Sequence, residues 1–294
     1  MSDYKIAPQC VDCIAGKYLS KAPKTATVEQ QMEYKLKVLK TIAELGESVT
    51  APEIVAAVTG LKNEMFGKID DFAEEKRYFN ALMLSLADEI EQQIVSAEDP
   101  FKTALKFAQL GNYIDFGAMY SVDENQLREM LKGVSSVQLD ETEYENLKRD
   151  LSQAKRLVYL TDNCGEIVMD KLLVRQIKKQ FKGLDVTVVV RGGPVLNDAT
   201  MEDAEQVGLD REVSVVSNGT LIAGTALRSL PENVRSKVLS ADVILSKGQG
   251  NFETLKNCGL NVYYLFLCKC NMFAEHFGVP KLTGMFINDL RMKS

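Results

Sequence analysis

With 294 residues, 46% of them hydrophobic and 26% charged, the chain can bury a sizeable core and has the composition of an ordinary globular protein. Its formal net charge of −6 argues against nucleic acid or an anionic membrane as the main partner. Six scattered cysteines suit a reduced, cytoplasmic setting rather than a disulfide framework, and neither a leader-like apolar core in MSDYKIAPQC nor a bilayer-length apolar run is present.

In the first half, apolar residues recur at three- and four-residue spacing over 28–45, 52–58, 64–95, 100–110 and 123–132, which predicts amphipathic helices. Within the longest of these, Phe72, Phe79, Leu82, Met83 and Leu86 share one stripe and read as helical core. The acidic stretch QLDETEYENLKRD (138–150) reads as a connector and helix into the second half. No sequence repeat or low-complexity tract is apparent.

From residue 156 the period changes. Strands are predicted at 157–161, 186–191, 213–216, 242–246 and 262–267. Helical segments lie between them at 167–181, about 198–207, about 220–240 and 251–258. Alternation of this kind predicts a three-layer α/β arrangement with a mainly parallel sheet. Such sheets bind ligands beyond the carboxyl ends of their strands, where the strand order reverses.

Those ends are chemically loaded. DNCGE (162–166) follows the first strand, and Arg191-Gly-Gly-Pro leads from the second to Asn197-Asp198-Ala199-Thr200. Ser217-Asn218-Gly219-Thr220 follows the third, KGQGNFE (247–253) the fourth and Cys268-Lys269-Cys270 the fifth. One rim therefore gathers hard oxygen donors (Asp162, Asn163, Asp198), cations (Arg191, Lys247, Lys269) and glycines beside helix starts. That mixture suits a divalent metal such as Mg²⁺ or Mn²⁺ and a phosphate. SKGQGN is not the phosphate loop of nucleotide kinases, and DNCGE has one glycine where a dinucleotide turn needs three.

In combination, LTDNCGE-x3-D, VRGGP-x2-NDAT-x2-DA, LSKGQGNFE and LCKC resemble the damage-control phosphatases, a metal-dependent family. CVDC (Cys10 to Cys13) and GNYIDFG (Gly111 to Gly117) are similar to its stand-alone prokaryotic subfamily. The resemblance implies an α-helical domain (1–150) on a Rossmann-like α/β domain (151–294). It also implies hydrolysis of small phosphorylated metabolites with Mn²⁺, Co²⁺, Ni²⁺ or Mg²⁺. Matched by motif, Asp162, Asn163 and Asp198 are metal ligands and Lys247 faces phosphate, with Gly248 and Asn251 in the same loop. Glu166, Arg191, Asn112 and Asp115 fall at motif positions near the pocket. Asp162, Asp198 and Lys247 thereby become the expected catalytic residues. Asn271 stands where relatives are expected to carry proline, which bears on the local path of the last loop.

Metal-activated water is the favoured attacking group, because the DxD pattern of aspartyl-phosphate enzymes is absent at Asp162. Two other classes stay in view. A methyltransferase using S-adenosylmethionine would share the frame but lacks a glycine-rich loop after the first strand. A non-catalytic phosphometabolite binder is disfavoured by the acidic residues, which repel phosphate without a cation. Cys164 reads as a small packed residue, and His276 as structural. Cys10, Cys13, Cys268 and Cys270 offer spacing for a four-thiolate zinc site, but no second CxxC exists. The helical half is expected to form one wall of the pocket.

Overall fold

The computed structural model describes residues 6–67, 72–115 and 123–292. Helices come first: α1 (Pro8–Tyr18), α2 (Val28–Leu45), α3 (Ala51–Phe66), α4 (Ala73–Ser96), α5 (Pro100–Gly111), α6 (Glu124–Lys132) and α7 (Glu141–Gln153). Strands and helices then alternate: β1 (Arg156–Leu160), α8 (Glu166–Gln180), β2 (Asp185–Val190), α9 (Met201–Val207) and β3 (Ser214–Ser217). They continue through α10 (Glu232–Leu239), β4 (Val243–Lys247), α11 (Gln249–Leu255), β5 (Val262–Leu267), α12 (Asn271–Phe277) and β6 (Gly284–Asn288).

The sheet order is β3-β2-β1-β4-β5-β6. Strands β1 to β5 are parallel, and β6 runs antiparallel along β5. The chain is thus α/β with a mostly parallel sheet. Successive side chains of a strand point to opposite faces. In β1, Leu157 and Tyr159 enter the core shared with α4, α5, α7, α8 and α9. Val158 and Leu160 enter the core shared with α10, α11 and α12. A third cluster, built on Ile14, Tyr18, Tyr34, Val38, Ile54 and Val58, closes between α1, α2 and α3. The helical half therefore contributes to two cores, and α4 to α7 cover one face of the sheet.

Several predicted elements shift. The 64–95 helix is two helices, α3 ending at Phe66 and α4 starting at Ala73, with Gly67 closing the first at φ 78°. The 52–58 segment extends to Phe66. The helix expected over 220–240 is only a 3₁₀ turn (Leu227–Ser229) and α10, since Gly219, Gly224 and Pro231 interrupt it. Helix α9 begins at Met201 rather than near 198, because Asn163 and Asp198 pair as an isolated antiparallel bridge. Helices α1 and α12 and strand β6 have no counterpart among the predicted elements.

Order reverses between β1 and β4, which lie side by side. The loops leaving these two strands, at 161–165 and 247–248, open the crevice where ligands bind in such sheets.

Candidate active site

The chain after β1 makes a tight turn into α8. Gly165, at φ 67°, is the N-cap of that helix, and its N–H donates to Asn80 Oδ1 of α4 at 2.6 Å. A Cβ there would lie 2.9 Å from Ile114 Cδ1. The turn sets Asp162, Asn163 and Glu166 together, all three buried.

Amides from two directions then fix the carboxylates. Asp162 Oδ2 accepts from Asn163 Nδ2 at 2.7 Å and from Asn112 Nδ2 at 2.9 Å. Glu166 Oε2 accepts from Asn163 Nδ2 at 2.9 Å, and both Glu166 oxygens lie within 3.1 Å of Asn112 Nδ2. Asn112 caps the end of α5, and its Oδ1 takes the Leu267 N–H at 3.0 Å. The helical half thus reaches into the crevice.

Asp198 arrives from the neighbouring strand end through the bridge to Asn163. Arg191 Nε donates to Asp198 Oδ2 at 2.5 Å, Arg191 Nη1 to Asn251 Oδ1 at 3.2 Å, and Nη2 lies 3.6 Å from Asp162 Oδ1. Nη2 is buried without a hydrogen-bond partner. Asn251 Nδ2 holds the carbonyls of Thr161 and Lys247 at 2.9 and 2.7 Å, tying the β1 and β4 loops together. Gly248, at φ 80°, brings its backbone against Asp162: an added Cβ would stand 2.0 Å from the Asp162 carboxyl carbon. No other residue fits there.

Lys247 does not match the expected role. Its Nζ donates to Ala108 O at 2.8 Å, Glu166 Oε1 at 2.5 Å and Asp170 Oδ1 at 2.9 Å, so all three donors are taken inside the protein. Burial opposes its charge, but Asp170 and Glu166 outweigh that and raise its pKa. Lys247 in this arrangement supports Glu166 from behind and has no donor left for phosphate. Lys269 is the cation on the other side: its Nζ bonds Asp115 Oδ2 at 2.7 Å with a nearly buried side chain, and its charge opposes the upward shift of Asp162. Sequence reasoning placed Lys269 on the rim without assigning it a role. Asp170, the last residue of the LTDNCGE-x3-D motif, carried no expected role, although it lies one turn after Glu166 on the same helix face.

Negative charge is crowded here. Burial, Glu166 and Asp198 push the Asp162 carboxyl well above the usual range. Burial also raises Asp198, with Arg191 opposing, and lifts Asp170 to about 6 against the pull of Lys247. The carboxylates of Asp115, Asp162, Glu166, Asp170 and Asp198 outnumber the cations Arg191, Lys247 and Lys269 by two, the charge of one divalent ion. Among the described residues no three His, Cys, Asp or Glu side chains form a metal-binding group. The set that fits a cation is instead Asp162, Asn163 and Asp198, two carboxylates and an amide. Oxygen ligands of this kind suit a hard divalent ion.

A match to the family profile described as the damage-control phosphatase ARMT1-like domain spans residues 6–283. The chain belongs to the damage-control phosphatase family. It is 34% identical over 285 residues to a damage-control phosphatase of Archaeoglobus fulgidus, covering 94% of this chain and 96% of that protein. It is 30% identical over 283 residues to one from Pyrococcus horikoshii, again covering 94% and 96%. The crystal structure of a DUF89 family protein from Pyrococcus horikoshii superposes with TM-score 0.79 at 27% identity, covering 97% of this chain and 99% of that one.

Among the expected damage-control phosphatase motifs, Phe116 and Gly117 of GNYIDFG lie outside the described residues. Cys164 is fully buried, and burial raises its thiol pKa, the opposite of what a nucleophilic thiol needs. His276 packs edge-on against Phe277. Among the described residues, no helix is long and apolar enough to cross a membrane.

Proposed function

We infer that the chain hydrolyses phosphate monoesters of small metabolites, using a divalent cation held by Asp162, Asn163 and Asp198. One observation carries this reading: two aspartates and an amide from different strand ends converge at the sheet's switch point, where carboxyl groups outnumber basic side chains by two and repel one another without a cation. When bound, a divalent cation supplies Lewis-acid polarisation of a phosphoryl oxygen and acidifies water.

The chain's own groups do the rest. Asn112, Asn163 and Lys247 fully occupy Glu166, which makes it a positioning group. Asn163 Nδ2 is committed to Asp162 and Glu166, which leaves its Oδ1 as the atom of that amide available to a cation. Lys269 and the free Arg191 Nη2 are the donors for phosphoryl oxygens, and electrostatic placement of that kind is the main protein contribution to phosphoryl transfer. A cleft of about 270 Å³ adjoins Arg191 and Thr200, with Lys76 and Asp203 paired at 2.7 Å in its wall.

The test is release of inorganic phosphate from a panel of sugar phosphates and nucleotides, without S-adenosylmethionine. Chelation should abolish release, and Mn²⁺, Co²⁺, Ni²⁺ or Mg²⁺ should restore it. Full activity in chelator-treated, metal-free protein would sink the mechanism.

A further inference from the structure

Helix α2 has two apolar faces. The inner one seats Tyr34 and Val38, both fully buried, in the α1–α3 core. The outer one carries Val28, Met32, Leu36 and Leu39, which are 75, 56, 59 and 47% exposed. At 3.6 residues per turn these four fall within about 80° of one another, opposite Tyr34, in a row about 17 Å long. A helix on a protein surface ordinarily turns charged residues outward. A continuous row of large aliphatic side chains is the pattern of a helix–helix seam.

The charges beside this row are divided along it. Glu29 and Glu33 lie beside the first half of the row, and Lys35, Lys37 and Lys40 beside or beyond its second half, all exposed. Glu44 alone departs from the division and lies 3.7 Å from Lys40. Such a helix is complementary to itself when reversed.

We propose that α2 is a self-association face, on which a second copy of this chain lays its own α2 antiparallel about a two-fold axis between Met32 and Leu36. Val28 of each copy then meets Leu39 of the other, and Met32 meets Leu36. Glu29 of each copy lies beside Lys40 of the other, because both residues flank the row on the same side. A parallel two-fold pairing would instead put Glu29 and Lys40 of the two copies at different heights and on opposite flanks, with no Glu29–Lys40 contact between copies. Two-fold pairing of one patch with itself is the commonest route to a dimer. A stable specific interface covers about 800 Å² on each partner, and one helix row supplies only part of that. The pair is accordingly weak and reversible, with a dissociation constant in the micromolar range or above. Helix α2 packs on α3, and α3 touches α11 beside the crevice, but none of the seam residues enters the site.

Sedimentation equilibrium of the full chain, from low-micromolar to near-millimolar concentration, tests this. The wild-type average mass should rise with concentration from one chain toward two. Leu36→Glu should hold it at one chain, with the circular dichroism and the phosphatase rate per chain unchanged. Glu29→Lys and Lys40→Glu should each weaken association by about tenfold, since each sets like charges together twice across the two-fold axis. The double variant Glu29→Lys/Lys40→Glu should return to near wild-type association. A wild-type chain that stays monomeric throughout overturns the proposal, and so does a dimer indifferent to Leu36→Glu. A double variant no tighter than the single ones rejects the antiparallel arrangement.

Discussion

Replacing Gly248 by alanine separates two costs that a glycine at a ligand site conceals. The first is backbone strain: Gly248 lies at φ 80°, ψ 159°, a region that is essentially glycine-only, and holding an L-residue there costs on the order of 1–3 kcal/mol. The second is contact. The new Cβ would sit 2.0 Å from the Asp162 carboxyl carbon, whereas ordinary contact begins near 3.4 Å. One of the two must give way by about 1.4 Å, and Asp162 is anchored by Asn112 and Asn163. A displacement near 1 Å at a reacting centre costs on the order of 100-fold in rate, or about 2.7 kcal/mol.

Gly259 supplies the control. Its φ is 76°, and an added Cβ there meets nothing within 4 Å, so Gly259→Ala carries the strain without the contact. Both variants should lose stability in urea unfolding through strain, on the order of 1–3 kcal/mol, with a further loss for Gly248→Ala. Only Gly248→Ala should lose turnover, by on the order of 100-fold. Equal kcat in the two alanine variants would show that Gly248 does not press on a functional Asp162.

Asp198→Asn should leave the circular dichroism intact while weakening divalent-metal binding in calorimetry and lowering kcat by orders of magnitude, since a negative ligand is lost; near-wild-type turnover would mean that the two strand ends share no cation. Lys247→Met should lower stability by about 3–5 kcal/mol in denaturant titrations, because Glu166 and Asp170 would be left buried without their cation, whereas Lys269→Met should act mainly on KM and kcat. Burial raises Glu253 from 4.5 to about 7, so the folded protein binds more protons than the unfolded chain across that window and loses stability as pH rises through it. Glu253→Gln should therefore raise Tm at pH 8 and leave it nearly unchanged at pH 5; an equal gain at both would refute the assignment.

Much of the sheet was legible because parallel strands buried on both faces are runs of β-branched and aromatic residues, as in VTVVV and VYYLFL. The rim was legible for a related reason: DNCGE, NDAT and KGQGN interrupt those runs with groups that a core would not accept. Side-chain direction was not. Composition says that Lys247 ends a strand, but only the fold shows Glu166 and Asp170 one helical turn apart beneath it. Asn80, which holds the Gly165 turn from 85 positions away, leaves no local signature at all. Strand β6 escaped because five residues, GMFIN, are too short for periodicity to distinguish from a loop.

The two lysines of the crevice also show why residue type alone cannot assign a phosphate contact. For Lys247 to reach a phosphoryl group it would have to abandon Glu166 and Asp170, both fully buried. Stripping a buried carboxylate of its partner costs about 3–5 kcal/mol, while a hydrogen bond to a charged group returns about 1.5–3 kcal/mol. The exchange is unfavourable, so Lys247 stays behind the site and fixes Glu166, which in turn orients Asn112 and Asn163. Lys269 faces a smaller barrier. Its one carboxylate partner in the site, Asp115, retains some exposure, so water can solvate that carboxylate when the ammonium turns toward phosphate. The same comparison sets their substitution phenotypes apart: loss of Lys247 should register first in folding, and loss of Lys269 first in substrate binding and turnover.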